Sequence, residues 1–253
     1  MSVSIKNVLL GEGHTKICVP IIGKTVDEIY QEAREISSTE ADIVEWRVDF
    51  YEDVMSTSKV LAVVEKLADI LNEKPVLFTF RTKAEGGEKE IREESYVSLL
   101  KEVIEQNIVG AVDVELFKGE ATLEAIVDYA KNYDVKVLAS NHDFNKTPEK
   151  DEIKRRLMLM REKGAHISKM AVMPQSEVDV LTLLSATEEL HRECQDMTII
   201  TMSMGQLGVV SRLSGGVFGS AMTFGARNEA SASAPGQVEV SALKDILNTI
   251  ENK

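Results

Sequence analysis

Lys169 lies in the run ISKMAVMP, which is otherwise almost wholly apolar. Lysine is seldom buried without a partner or a task. An amine held in an apolar cavity is suited to attack a carbonyl and form a Schiff base. Burial or a neighbouring cation lowers its pKa from about 10.4 and multiplies the neutral, nucleophilic fraction. Arg212 and a protonated His142 are the two candidate cations, and the competing reading is a lysine at the solvent-facing start of a strand. His142 is one of only four histidines and lies at the C-terminal end of the run VKVLASNHD. Its unperturbed pKa near 6.5 suits a group that takes and returns a proton. A structural histidine or a metal ligand are the alternatives, but no HxH or HExxH spacing supports a metal, and none is expected. Asp143 reads as a cap for the next element, and His14, His166 and His191 fall in loop-like or helical contexts.

The elements that must position these groups alternate from end to end. Strand-like runs begin at Lys16, Asp42, Val76, Ala111, Val135, Ser168, Thr198 and Ser220. Between them lie segments such as TVDEIYQEAREI, SKVLAVVEKLADIL, TLEAIVDYAKNY and SEVDVLTLLSATEELHRE, with apolar residues at i, i+3, i+4 and i+7. A last such segment, SALKDILNTIE, carries Ser241 as its expected N-cap. Parallel neighbours need crossover connections, so eight strand–helix units predict a parallel sheet closed into a (β/α)8 TIM barrel. No Gly-rich fingerprint follows the first strand, which weighs against a dinucleotide-binding sheet. Residues 1–253 are expected to form a single catalytic domain. The opening SVSIKNVLLGEGHTK reads as a hairpin that turns at Gly11–Gly13 and closes the barrel floor. The Ala-, Ser-, Gly- and Pro-rich stretch from Ala226 to Gln237 reads as a mobile loop over the barrel mouth.

Side chains two apart on a strand share a face. Val44, Trp46 and Val48 therefore oppose Glu45, Arg47 and Asp49, and Val112, Val114 and Leu116 oppose Asp113 and Glu115. The apolar faces should meet the helices, leaving the charges inside the barrel. Arg81 ends the third run, and Met202 and Met204 share a face of the seventh. A barrel interior is normally filled with branched apolar side chains. Charges of both signs there indicate either neutralising structural pairs or a polar chamber that holds a ligand.

The bulk numbers narrow the class. The 253 residues carry a net charge of −13, which excludes a nucleic-acid partner and disfavours an anionic membrane. No stretch approaches the roughly 20 apolar residues of a membrane span. Cys18 and Cys194 match no metal or redox spacing, Cys18 reads as a small core residue, and the expected compartment is a reducing cytoplasm. The N-terminus has neither the basic nor the apolar region of a secretory signal.

Read together, EWRVD at Glu45, FTFRTKAEGGE at Phe78, DVEL at Asp113, SNHDF at Ser140, KMAVMP at Lys169, ITMSMG at Ile200, GVVSRL at Gly208, FGSAMTFG at Phe218 and SAPGQ at Ser233 resemble the type I 3-dehydroquinate dehydratases of the shikimate pathway, which leads to chorismate and the aromatic amino acids. The resemblance runs nearly the whole length. It implies cofactor-free dehydration of 3-dehydroquinate to 3-dehydroshikimate by a homodimeric lyase. Lys169 would form the imine and His142 would move the protons, with Glu85 orienting His142. Arg212 would pair with the substrate carboxylate, Glu45, Arg47 and Arg81 would hold ring hydroxyls, and Met202, Met204 and Phe224 would line the apolar side. Ser233 and Gln237 would reach in from the lid, whose extra Ala-Ser unit makes Ser231 a competitor of Ser233. Pro20 departs from the small polar residue expected near the ring. The enzymatic rival is a class I aldolase, whose phosphate cradle after strands seven and eight is missing here. A non-catalytic binding barrel is the rival of another class.

Overall fold

The computed structural model describes residues 2–227 and 233–251. Eight parallel strands form the barrel: β3 (Lys16–Ile21), β4 (Ile43–Arg47), β5 (Val76–Thr79), β6 (Ala111–Glu115), β7 (Lys136–Asp143), β8 (Ile167–Val172), β9 (Ile199–Ser203) and β10 (Met222–Ala226). They pair in chain order from β3 to β9, and β10 pairs with β3. The seam between β9 and β10 is closed by a bridge from Ile199 to Ser220, where the Ala221 N–H donates to the Ile199 carbonyl at 2.8 Å. A two-residue strand, β11 (Val238–Glu239), adds to β10.

The outer layer consists of α1 (Val26–Ser37), α2 (Thr57–Leu71), α3 (Glu93–Glu105), α4 (Glu120–Ala130), α5 (Lys150–Glu162), α6 (Glu177–Glu193), the short α7 (Val209–Ser214) and α8 (Val240–Ile250). Helices α1 and α6 open with reciprocal capping boxes, Thr25 with Glu28 and Ser176 with Asp179, which satisfy N–H groups that have no intrahelical acceptor. Helix α8 begins one residue before Ser241, so that serine does not cap it. Glu239 holds the cap position instead, and the Ser241 hydroxyl donates to the Glu239 side chain at 3.3 Å. No helix among the described residues is long and apolar enough to cross a membrane.

The hairpin forms from β1 (Val3–Ile5) and β2 (Val8–Leu10), but it turns at Lys6–Asn7 rather than at the glycines. Lys6 takes the left-handed conformation, φ 50°, that a two-residue turn requires, and Gly11 and Gly13 belong to the link into β3. Val3, Ile5 and Leu10 pack against Cys18, Ile43, Leu77, Ala111, Leu138, Ile167, Ile200 and Met222, the lowest inward-facing layer of the strands. The floor of the barrel is therefore apolar and plugged. The outward faces, including Val44, Trp46, Val112, Val114 and Met170, join the helices in a second, larger core.

Candidate active site

Two residues above that floor the inward positions change character. Ile43 gives way to Glu45 and Arg47, Leu77 to Thr79 and Arg81, Ala111 to Asp113 and Glu115, Leu138 to Ser140 and His142, and Ile167 to Lys169. On β9 and β10 the same step leads to Met202, Met204 and Phe224, which stay apolar. Period-two alternation thus builds a chamber at the C-terminal mouth, polar on the β4–β8 side and apolar on the β9–β10 side. The C-terminal mouth is where barrel enzymes act.

Arg81 is the hub of the polar wall. It donates to Asp113 Oδ2 at 2.7 Å, Glu115 Oε1 at 3.0 Å and Ser140 Oγ at 2.9 Å. The Ser140 hydroxyl donates in turn to Asp113 at 2.6 Å. Glu115 also accepts from the Thr82 amide and hydroxyl at 2.8 and 2.7 Å, which anchors the loop that follows β5. Burial opposes the ionised form of Asp113, but Arg81 and Lys169 outweigh it and hold its pKa below the ordinary range. Arg47 is gripped by Asp49 through two 2.8 Å bonds, and Asp49 also accepts from the Arg81 and Glu88 amides.

Lys169 stands at the bottom of the chamber, 4% exposed, as the third residue of β8 rather than at a solvent-facing strand start. Its Nζ lies 3.9 Å from Glu45, 3.8 Å from Asp113 and 4.4 Å from the centroid of the Phe224 ring. Both carboxylate distances exceed a hydrogen bond. Burial lowers the Lys169 pKa, Glu45 and Asp113 oppose the shift, and Arg81 adds to it. The cation that bears on the amine is therefore Arg81, not Arg212 or a charged His142. His142 is itself driven well below its ordinary value by burial and by Arg81, Lys169 and Arg47, so it is neutral.

Glu85 sits in the short helical turn Lys83–Glu85 after β5 and is buried. Its Oε2 meets both the backbone N–H and the Nδ1 of His142 at 2.9 Å. Its Oε1 accepts from Asn141 Nδ2 at 3.3 Å. Burial is the main cause that pushes Glu85 up to about 8, against the pull of Arg81 at 3.8 Å. Nδ1 is thus occupied by the carboxylate, which leaves Nε2 as the ring nitrogen free for chemistry. Phe144 packs against the turn that carries Glu85: a Cβ on Gly86 would come within 2.3 Å of its ring.

The apolar side holds one charge. Arg212, on α7, is 1% exposed and meets the Pro235 carbonyl at 3.2 Å and the Met202 sulfur at 3.6 Å. Its Nε has no hydrogen-bond partner among the described residues, and burial alone brings its pKa down to about 10. A buried guanidinium short of partners is set for an incoming anion, above all a carboxylate. Ser233 and Gln237 line the chamber beside it, joined by bonds of 2.9 and 3.1 Å. Ser231 lies outside the described residues. Pro20 is buried on β3 and does not line the chamber.

The structure brings Lys169, His142, Glu85, Glu45, Arg47, Arg81, Arg212, Met202, Met204, Phe224, Ser233 and Gln237 around one cavity. Gly86, Phe144, Ala171 and Ala234 complete the lining. Asp143 turns away and accepts from the Asn145 and Lys146 amides, capping a turn. Asn141, inside the SNHDF run, and Arg156, which no local pattern marks, also bear on the site.

A (β/α)8 barrel that gathers a buried amine, a carboxylate-bound imidazole and a buried arginine at its C-terminal mouth has the architecture of a barrel enzyme with its active site in that chamber. The chain belongs to the type I 3-dehydroquinase family, whose model matches residues 17–253. It is 50% identical over 248 residues to the 3-dehydroquinate dehydratase of Clostridioides difficile, covering 98% of this chain and 96% of that protein. It is 49% identical over 251 residues to the Listeria welshimeri protein of the same name, with 99% and 98% covered. Among solved structures it is similar to the type I enzyme of Clostridium difficile with covalently modified comenic acid, with TM-score 0.96, 49% identity and coverage of 100% and 98%. The Geobacillus kaustophilus 3-dehydroquinate dehydratase also superposes with TM-score 0.96, at 34% identity and coverage of 100% and 97%.

Proposed function

We propose that this chain dehydrates 3-dehydroquinate to 3-dehydroshikimate through an imine on Lys169. The carrying observation is the buried Lys169 amine, with no carboxylate of the described residues within hydrogen-bond reach, in a chamber that also holds His142 and Arg212. The amine adds to the ring ketone, and the carbinolamine loses water to give a protonated imine. His142 Nε2 removes a proton from the carbon next to the imine, and the electron pair moves toward the imine nitrogen as an enamine. The enamine returns its electrons to expel the β-hydroxyl, which leaves as water with the proton carried by His142. Hydrolysis of the conjugated imine frees the enone and Lys169, so the net change is the loss of one water.

Arg212 binds the substrate carboxylate, which supplies the partners its guanidinium lacks. Glu45, Arg47 and Arg81 form the wall for the ring hydroxyls, and Met202, Met204 and Phe224 cover the ring's apolar side. Ser233 and Gln237 close over the carboxylate end. The whole chain acts as one catalytic domain, in the cytoplasm and as a homodimer, in keeping with the family resemblance and the two unpaired cysteines. The test is an assay with 3-dehydroquinate and the near-ultraviolet absorbance of the enone product. Wild-type turnover with loss of nearly all rate in Lys169→Met supports the reading, and no turnover by the wild type overturns it.

A further inference from the structure

Behind the chamber wall, on the side away from substrate, Glu85 is held by residues that the mechanism above does not use. Asn141 lies between inward-facing Ser140 and His142 on β7, so it points outward, and it is 1% exposed. Its Nδ2 reaches Glu85 Oε1 at 3.3 Å, and its Oδ1 accepts from Arg156 Nη1, on α5, at 2.9 Å. Arg156 is fixed in turn by Glu152 at 2.6 Å and by packing over the Phe117 ring at 5.2 Å, with Asp143 at 4.0 Å.

An amide has one accepting and one donating end, and a guanidinium can only donate. Arg156 therefore holds the oxygen of Asn141 and obliges the nitrogen to face Glu85. The carboxylate then receives a donor at each oxygen, Asn141 at Oε1 and the His142 backbone N–H at Oε2. Both donors favour the ionised carboxylate over the acid. The difference matters for the imidazole. Beside an ionised Glu85, Nδ1 carries the ring proton and Nε2 presents a lone pair to the chamber. A protonated Glu85 donates to Nδ1, the ring proton moves to Nε2, and the base is lost.

We infer that Asn141 and Arg156 are positioning residues: Arg156 orients the Asn141 amide, and that amide favours the ionised Glu85 that makes His142 Nε2 the base. The inference rests on the dehydratase reading for the use made of Nε2, but not for the state of the pair. The other charged groups facing the pair are Arg81 from the end of β5, Asp113 and Glu115 from β6, Lys169 from β8 and Arg47 from β4. None of them touches Asn141, so a change at Arg156 leaves that field in place.

The test is a pH titration of protein labelled with 15N-histidine, with His142 assigned by its loss in His142→Ala, alongside kcat/KM for 3-dehydroquinate over the same range. Arg156→Met frees the amide to turn its oxygen to Glu85, and the His142 midpoint and the acid limb should both rise by about one pH unit, about tenfold in the competent fraction at low pH. Arg156→Lys restores a donor to Oδ1 and should bring both back toward wild type, which mere loss of packing would not do. Asn141→Asp, which replaces the donor with a second carboxylate oxygen, should raise the midpoint at least as far. Unchanged midpoints in both Arg156→Met and Asn141→Asp, with both folded, overturn the relay. The titration reads the free protein, so a wild type inactive on 3-dehydroquinate would defeat the dehydratase reading while the relay is still decided by the midpoints.

Discussion

One carboxylate oxygen of Glu85 holds His142 at two points, its backbone N–H and its ring Nδ1, both at 2.9 Å. The imidazole is thereby fixed in direction by the same group that settles its tautomer. Glu85 itself is pushed up to about 8, chiefly by burial, so its proton is retained far above the ordinary carboxylate range. The base needs Glu85 ionised, and activity must therefore rise with pH as that proton leaves. The expected kcat/KM profile has an acid limb centred near the Glu85 value of about 8, well above the 4.3 or so of a free glutamate. A profile flat down to pH 4.5 would contradict it.

His142→Ala separates imine formation from elimination. Lys169 and its neighbours stay in place, so the variant should still capture 3-dehydroquinate covalently. Its turnover should fall by about 10²- to 10⁴-fold, the usual worth of a positioned acid–base group. Single-turnover mass spectrometry checks both halves, and near wild-type turnover would remove His142 from the mechanism.

Arg212 is expected to trade stability for binding. Its guanidinium is buried with Nε unpartnered and no carboxylate partner among the described residues. Arg212→Met should raise KM by about 10- to 100-fold, the loss of one charge-assisted pair. The same variant should unfold at higher temperature, gaining about 1–3 kcal/mol by removal of an undersatisfied buried cation. An unchanged KM, or a lower melting temperature in the unliganded protein, would count against this role.

Gly86 is a backbone requirement of the Glu85 turn. It adopts φ +84°, and an added Cβ would meet the Phe144 ring at 2.3 Å. Gly86→Ala should cost about 1–2 kcal/mol from the left-handed backbone alone and shift Glu85 away from His142. Phe144→Ala in the same chain should recover the steric part but not the backbone part. Melting temperatures and kcat of the two single variants and the double variant read the difference, and simple additivity would show that the ring contact carries none of the cost.

The barrel and most of the chamber were legible because both follow from period-two alternation. Glu45, Arg47, Asp113 and Glu115 alternate with apolar residues on short strands, and a strand allows only two faces. Lys169 stood out because a lysine inside an apolar run has few explanations. The hairpin turn was misplaced because Gly11–Gly13 are the stronger local signal, whereas Lys6 takes a positive φ without any glycine. Ser241 was misread as a cap because β11 runs directly into α8, which leaves Glu239 in the capping position. The cation beside Lys169 was misassigned because Arg81 reaches it across the barrel from β5, a neighbourhood that strand order along the chain does not reveal. Asn141 lies inside SNHDF but on the outward face of its strand, and Arg156 carries no local pattern; their pairing appears only when α5 packs behind β7.

The most direct test of the account is to add borohydride to the protein turning over 3-dehydroquinate and to map the added mass by peptide mass spectrometry. Rate and adduct should rise together with pH through a Lys169 pKa below the ordinary 10.4 or so, since the neutral amine is the attacking form. A stable adduct is expected on Lys169, present in His142→Ala and absent from Lys169→Met. An adduct on another lysine, or full dehydratase activity with no adduct, would contradict it.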